Sequence, residues 1–359
     1  MNAQEKKGQA MAELEMARRT EISVSIGGVD ITRDMRPYLL GLTYTDNEED
    51  ETDDLQDREG IWLEKWLAAA IEGAAASKLK LSARIIAKDW TGPGKDRALP
   101  CGTFELDSVT ASGPPATLTM KGTSLAFCAA IRQTKKSKAW NKYRLSGIAR
   151  EMAKNAGMRV MYEAGTDPYY KRIEQAKMSD IRFLSKLCHG AGISLKATAD
   201  RLVLFDQRIY EGKAAVRTIR RKDGSYGTYS LETGTADTQY ASCRVSYSGG
   251  GRYIQGVYID PELEKSMEKE NRQQLEITQR VESQGEALAM AQKYLRLHNK
   301  YAKMASFTMA GDPTLAAGEV IALAGWGGWD GRYIVKQAQH TVGTGGYETK
   351  ITLRRCLEY

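Results

Sequence analysis

The sequence predicts an α+β, β-rich chain: two β domains with a small α/β domain between them. Three observations predict it. Short runs of alternating apolar and polar residues, bounded by Gly and Pro turns, dominate both ends of the 359 residues. Two apolar stripes at helical spacing sit between short strands in the middle. Gly is frequent (34) and Pro sparse (8), which suits many tight turns in a folded chain whose charged share, 27%, is ordinary for a globular protein. A chain this long can bury two or three separate cores.

Residues 1–20 mix Glu, Lys, Gln and Arg with Ala and Met and read as a leader, helical or frayed, without the apolar core of a secretory signal. The first β domain is placed at residues 21–131. Glu21–Ile26 alternates, Gly27-Gly28 turns, and Val29–Thr32 returns. Tyr38–Asp46, Leu79–Lys88, Gly102–Val109 and Ala116–Lys121 are further strands, with Gly92-Pro93-Gly94 and Gly113-Pro114-Pro115 between them. Trp62, Leu63, Trp66, Leu67, Ala70 and Ile71 predict a helix over Ile61–Ala74.

The α/β domain is placed at residues 132–214. It opens on a basic connector, Arg132–Trp140. Leu145, Ile148, Ala149, Met152 and Ala153 share one face of a helix stopped at Gly157. A second helix starts at Ser179, a capping residue, with Asp180 in the first turn, where the positive helix end favours an acid. Its apolar face is Phe183, Leu184, Leu187 and Cys188, and Gly190 is its expected stop. Strands follow at Ile193–Ala197 and Arg201–Asp206.

The second β domain is placed at residues 215–359, with strands at Gly227–Glu232, Cys243–Ser248, Tyr253–Ile259, Ala305–Met309, Val320–Ala324, Arg332–Ala338 and Glu348–Arg354. Asp260–Leu275 reads as an exposed charged helix. Ser283-Gln284-Gly285-Glu286 is a capping box that opens a helix carrying Leu288, Ala291 and Leu295. Both β domains are thus meanders interrupted by one helix.

The chemistry points away from catalysis. Five scattered cysteines (Cys101, Cys128, Cys188, Cys243, Cys356) lack a metal spacing and read as reduced, buried thiols. The three histidines, His189, His298 and His340, have no second ligand at a binding interval. Cys188 and His189 point about 100° apart on a helix and form no pair by themselves. No protease, lipase or nucleotide-binding motif is present, and Asp50, Asp53, Asp54 and Asp57 lack the pattern of a calcium loop. No enzymatic activity and no cofactor is expected.

What stands out is charge. The net charge is +7, but segregated: Glu48, Glu49, Asp50, Glu51, Asp53 and Asp54 form an acidic block, and Arg132, Lys135, Lys136 and Lys138 a basic one. Both are expected at subunit interfaces, the acidic block as a solvated, partner-facing loop. Lys135–Lys142 with Trp140 and Tyr143 could grip a nucleic-acid strand; a Trp packed on its own domain is preferred. For Gly325–Gly331 the preferred reading is likewise turn glycines with one Trp folded onto the sheet.

The order Gln175, Ser179-Asp180, Phe183-Leu184, Leu187, Gly190, then a strand ending in Phe205-Asp206, resembles a segment of the phage late control D proteins, central baseplate hubs of contractile phage tails. Val29–Thr32 with Leu39–Asp46 is similar to the family's first strands. Glu48–Gln56 with Asp57–Gly60 is similar to its acid-rich loop, and Gly102–Val109 with Gly113–Leu118 to its next hairpin. Lys121–Ser124 resembles the lead into its connector, and Gly331–Val335, His340 and Gly346–Thr349 its closing strands. The resemblance spans most of Glu21–Arg354. It implies that the β domains are two tail-tube-like β-barrels. A homotrimer then presents six of them, matching a threefold spike to a sixfold tube. The implied partners are the tail spike, the tail tube or tube-initiator, baseplate wedge proteins and the tape measure protein. No membrane partner is implied, and DNA only passes through the lumen. The implied location is the virion, or a phage tail-like particle such as a bacteriocin, assembled in the bacterial host cytoplasm. The rival readings are a tail-borne cell-wall hydrolase and a nucleic-acid-binding regulator.

Overall fold

In the computed structural model, residues 19–49, 53–60, 79–115, 117–124, 130–198, 200–234, 239–249, 251–266 and 272–359 are described. The leader up to Arg18, the helix expected over Ile61–Ala74, and Asp50, Glu51 and Cys128 lie outside the described residues.

The first unit is a meander. Strand β1 (Arg19–Ile26) turns through Gly27 and Gly28, both at positive φ (60° and 86°), into β2 (Val29–Asp30). Only glycine takes two such angles in succession at little cost, so this pair sets the hairpin. A one-turn helix α1 (Thr32–Met35) leads to β3 (Leu39–Asn47), and β4 (Asp54–Gly60), β5 (Lys80–Lys88), β6 (Arg97–Ser112) and β7 (Thr117–Thr123) follow. Asp54–Gly60, expected to belong to the acidic loop, is a strand paired with β3 and β7. Alternation does the sorting: Leu81, Ala83, Ile85 and Ala87 of β5 are buried while Lys80 and Arg84 are exposed. Their core includes Leu42, Tyr44, Leu55, Phe104 and Met120.

The middle unit holds α2 (Ala130–Gln133), β8 (Lys135–Arg144), α3 (Leu145–Asn155), β9 (Arg159–Glu163), β10 (Tyr169–Ser179), α4 (Asp180–Ala191), β11 (Ser194–Ala197), β12 (Arg201–Phe205) and α5 (Gln207–Glu211). The expected basic connector is a strand: β8 pairs antiparallel with β10 as a two-stranded ribbon. Single-residue charge runs hide a strand because they mask the alternation that marks one. The apolar stripes of α3 and α4 meet as expected; Leu145, Ile148, Met152, Phe183, Leu184 and Leu187 share one core with β11 and β12. Helix α4 ends at Gly192 (φ 65°) and not at Gly190, and the Gly192 and Ile193 amides bond back to His189 and Cys188. Ser179 stands at the N-cap but makes no side-chain capping bond. Asp180 is buried, accepting from Lys136 Nζ (2.6 Å) and Gln175 Nε2 (2.8 Å) and so tying α4 to the ribbon.

The last unit holds β13 (Arg217–Arg220), β14 (Thr228–Thr233), β15 (Ser242–Gly249), β16 (Arg252–Ile259), α6 (Pro261–Ser266), β17 (Gln274–Thr278), α7 (Gln284–Asn299), β18 (Lys303–Ala310), β19 (Val320–Ala324), β20 (Gly331–Gly343) and β21 (Gly346–Arg355). Among the described residues, the charged stretch after Asp260 is helical over Pro261–Ser266 and a strand from Gln274. The Ser283 half of the capping box is present: Ser283 Oγ accepts from the Glu286 amide (3.2 Å), while Glu286 Oε2 accepts from the Glu282 amide, one residue before the cap (2.7 Å). Ala287, Ala291 and Leu295 face the core, while Leu288 points outward, 44% exposed. These strands divide: β15, β16 and β17 form a separate sheet under α7, with a core around Cys243, Val245 and Leu295. The others pack around Phe307, Trp326, Tyr333 and Leu353.

The two β units do not stand apart. Strand β20 pairs with β21 on one edge and with β3 on the other, Leu42 opposite Val342 and Asp46 opposite Ala338. Thirteen strands thereby run in one sheet, from β14 through β18, β21, β20, β3, β4, β7, β6, β5 and β1 to β2, with β13 and β19 beside β20. Among the described residues this pairing does not close into a barrel. Its seam, β3–β20, brings the end of β3, and with it the acidic block, to the junction of all three units.

Candidate functional site

Strand β3 ends in Asp46 and Asn47, and Glu48 and Glu49 follow. The Glu48 amide donates to Lys336 O (2.9 Å), which holds the acidic residues against β20 instead of releasing them into a loop. Glu48, Glu49 and Asp53 are consequently buried, each below 10% exposure. The expectation of a solvated, partner-facing loop does not hold for these three. A carboxylate enters a protein interior only with a cation or several donors to meet it, and each has them within the chain.

Arg354 of β21, wholly buried, grips Glu48 with two nitrogens, Nε to Oε2 (2.9 Å) and Nη2 to Oε1 (2.6 Å), and reaches Glu211 of α5 with Nη1 (2.6 Å). Glu211 also accepts from Arg296 of α7 (2.5 Å). Arg296 in turn donates to the carbonyls of Leu357 (3.1 Å) and Tyr359. Glu49 is met by Lys300, Ser194, Gln207 (2.8 Å) and Tyr301 (3.3 Å). Lys196 of β11 sits between Asp46 (2.6 Å) and Asp53 (3.3 Å) and also donates to Asn47 O (2.6 Å). Five carboxylates and four cations from β3, β11, α5, α7, β21 and the segments beside them thus meet in one buried network.

Burial works against the charge on Glu49, but the ammonium of Lys300 outweighs it and holds the carboxyl below its usual range. Burial likewise opposes the charges of Arg354 and Lys196. Glu48 with Glu211 in one case, and Asp46 with Asp53 in the other, keep both firmly protonated. At Glu48 burial outweighs Arg354 and raises the carboxyl above its usual range, and Asp53 is raised as well. Burial, reinforced by Asp46, pushes its carboxyl up to about 6 despite Lys196. The folded state therefore holds this proton more tightly than the unfolded chain does. The resulting stabilisation is full below about pH 4 and is lost as pH rises through about 6. In Asp53→Asn that dependence disappears. Between about pH 4 and pH 7.5 the variant should gain about 2–3 kcal/mol relative to the parent. Denaturant unfolding at the two pH values measures it, and an equal offset at both would refute it.

The other expected interface residues lie apart. Asp54 is exposed at the start of β4. Arg132 is half-buried in α2. On β8, Lys135 is exposed, Lys136 pairs with Asp180, and Lys138 pairs with Glu151 and lies 3.9 Å over the Trp140 ring. Trp140 itself is 2% exposed, which removes it as a stacking platform. Trp326 is buried, its indole N–H on Ile219 O (3.1 Å).

Sequence reasoning missed Lys196, Gln207, Glu211, Arg296, Lys300 and Arg354. A signal existed for one: Lys196 interrupts Leu195 and Ala197 in a short strand, whereas Arg354 sits among Lys350, Thr352 and Arg355 and gives none. A lone cation in an apolar strand asks for a buried acid.

Cys188 is buried in the middle core and His189 exposed, so the adjacent pair makes no thiol–imidazole dyad. His340 is wholly buried: Nε2 donates to Leu315 O (2.9 Å) and Nδ1 accepts from the hydroxyls of Tyr347 (2.8 Å) and Thr349 (3.1 Å). Burial depresses its basicity, and this neutral ring is a core polar group. Among the described residues, no cluster of three or more His, Cys, Asp or Glu is placed to hold a metal ion, and no helix is long and apolar enough to cross a membrane.

No protein-family model matches the chain, and no curated protein matches it. Solved structures do. The tail protein from Neisseria meningitidis MC58 superposes with a TM-score of 0.69 at 14% identity, covering 94% of this chain and 97% of its own. The 43 kDa tail protein of prophage MuSo2 from Shewanella oneidensis does so with 0.66 at 14% identity, covering 93% and 98%. An E. coli type VI secretion system component, itself described as structurally similar to the phage T4 tail proteins gp27 and gp5, gives 0.50 at 10% identity over 93% of this chain and 77% of its own. The chain therefore has the fold found in phage tail proteins, from end to end.

Proposed function

We propose that this chain is the structural hub of a contractile tail baseplate, in a phage or a phage tail-like particle, and that it works as a homotrimeric ring between a threefold spike and a sixfold tail tube. The observation that carries the reading is the end-to-end match in fold with tail proteins, nearly whole chain on whole chain in two cases. The late control D resemblance, in the same order along the chain, supports it. The two halves of the large sheet, β1–β7 and β13–β21 without β15–β17, are the candidates for the two tube-like domains, and each would supply one of six positions around the lumen. Spike, tube or tube-initiator, wedge and tape measure proteins are the partners this role requires, and no catalytic step is assigned to the chain.

The buried network has a clear use in such a part. A ring that transmits force must not hinge at its domain junctions, and nine interlocked charges contributed by all three units oppose hinging. Contacts between subunits would then fall to exposed members of the charged blocks such as Asp54. Sedimentation of the purified chain is expected to give three times the 39.8 kDa subunit mass. Asp54→Lys should shift it towards monomer while circular dichroism shows the chain still folded. A parent chain that stays monomeric at high concentration and fails to bind a spike protein would sink the reading.

A further inference from the structure

The positive charge of this chain is concentrated in one unit. Residues 132–214 carry 18 Lys and Arg against eight Asp and Glu, a balance of +10, whereas the whole chain balances at +7. The rest of the molecule is therefore mildly acidic. The ribbon of β8 and β10 presents much of the excess. Neither strand has a second strand neighbour among the described residues, so both outer edges are open to strand pairing.

Lys135, Lys142 and Lys177 are exposed on this ribbon. None of them enters an ion pair among the described residues, in contrast to Lys136, Lys138 and Arg172, which are answered by Asp180, Glu151 and Glu174. Lys142 and Lys177 also hold left-handed backbone, φ 56° and 47°. Glycine would satisfy that conformation with less strain. Lysine at these two places contributes charge and not backbone fit.

We propose that the β8–β10 ribbon is a docking surface for an acidic protein segment, which lies along an open strand edge with its carboxylates on Lys135, Lys142 and Lys177. Three features favour a polypeptide over a nucleic acid. Free strand edges pair with another backbone. Glu151 and Glu174 interrupt the basic run, which repels a continuous phosphate chain but suits spaced carboxylates. Trp140 is sealed beneath Lys138, and of the exposed ribbon rings Tyr143 is tied to Glu151 and Tyr169 lies under Arg144, which weakens a base-stacking row. The segment assigned to this edge is a different protein's: Glu48, Glu49 and Asp53 of this chain are buried and held by Arg354, Lys300 and Lys196.

The test uses the full chain and two labelled probes of equal charge, poly-L-glutamate and single-stranded DNA, at about 0.1 M salt, where contacts beyond a Debye length are screened. Poly-L-glutamate should bind, and Lys142→Gly with Lys177→Gly should weaken it about tenfold while leaving the melting temperature equal or higher. The control Arg182→Ala with Lys186→Ala, which removes two exposed charges from α4 of the same unit, should change it less than about twofold. The proposal is overturned if poly-L-glutamate does not bind, if both double variants lose binding equally, or if DNA binds more tightly and is lost with the same lysines. If the lysines only guard the edges against aggregation, the glycine variant aggregates and poly-L-glutamate binding is unchanged, which also overturns it. Sedimentation of the same samples separates this inference from the ring: a monomer that still binds sinks only the ring, and a trimer that does not bind sinks only the docking surface.

Discussion

Arg354→Ala is expected to lower the stability of the chain by about 3–5 kcal/mol, the usual cost of removing one partner from a buried ion pair. The guanidinium is wholly buried and makes three charge-assisted bonds, to Glu48 and Glu211. Its loss leaves two carboxylates in a dry junction. Arg296 still answers Glu211, while Glu48 loses both of its charge-assisted bonds and keeps only the through-space field of Lys300. Arg354→Lys keeps the charge but cannot reproduce the fork, and should fall between parent and alanine variant. A packing defect and a charge defect separate by pH. Stranded carboxylates recover by taking up protons, so the deficit of Arg354→Ala should shrink as pH falls from about 7 to about 5, whereas a cavity is indifferent to pH. Urea unfolding at both pH values reads this. A deficit under about 1 kcal/mol, or one that does not change with pH, would show that the network does not depend on this arginine.

Gly256→Val is expected to unseat helix α7. A Cβ at residue 256 would stand 2.3 Å from the Leu288 amide nitrogen and 2.6 Å from the Ala287 carbonyl carbon. These are helix backbone atoms, which cannot swing aside as a side chain can. Overpacked cores lose about 1–3 kcal/mol where side chains can shift, so the cost here should sit at or above the top of that range. The effect should reach further than the three-stranded sheet. Arg296 lies on α7 and Lys300 just past its end, so a displaced helix withdraws two of the four cations from the charged junction. Hydrogen exchange should therefore rise at α7 and also at β3 and β21. Gly190→Ala is the matched control: nothing lies within 4 Å of its added Cβ, and it should be neutral or slightly stabilising. Equal effects at the two glycines would refute the close seat of α7 on β16.

Much of the fold is legible in local pattern. Alternation located nearly every strand of the large sheet, because a half-buried strand writes its two faces into successive residues. The stripes Leu145–Ala153 and Phe183–Cys188 marked two helices for the same reason at a different period. The capping box at Ser283 was visible because its partners are three residues apart. Where local signals compete, reading by pattern failed. Gly190 and Gly192 both look like helix stops, and only the backbone angle at Gly192 and its returning amides distinguish them. The basic run at Lys135 looked like a connector because exposed lysines on both faces of a ribbon erase the alternation. The charged stretch after Asp260 has the composition of a helix, but pairing with β15 makes its end, Gln274–Thr278, a strand.

By itself the sequence determined that this chain is β-rich, that two apolar helical stripes lie in its middle, that its charge is segregated, and that no familiar catalytic motif is present. Those are properties of neighbours along the chain. Only the tertiary structure decided what the acidic block does. Glu48 finds Arg354, 306 residues away, and Lys300 reaches Glu49 across 251. Composition cannot tell a solvated carboxylate from one buried against a cation, because the difference lies in which distant residue arrives and how much water is excluded. The seam of β3 with β20 settles both for Glu48, Glu49 and Asp53, which read as a surface for partners and are held inside the molecule.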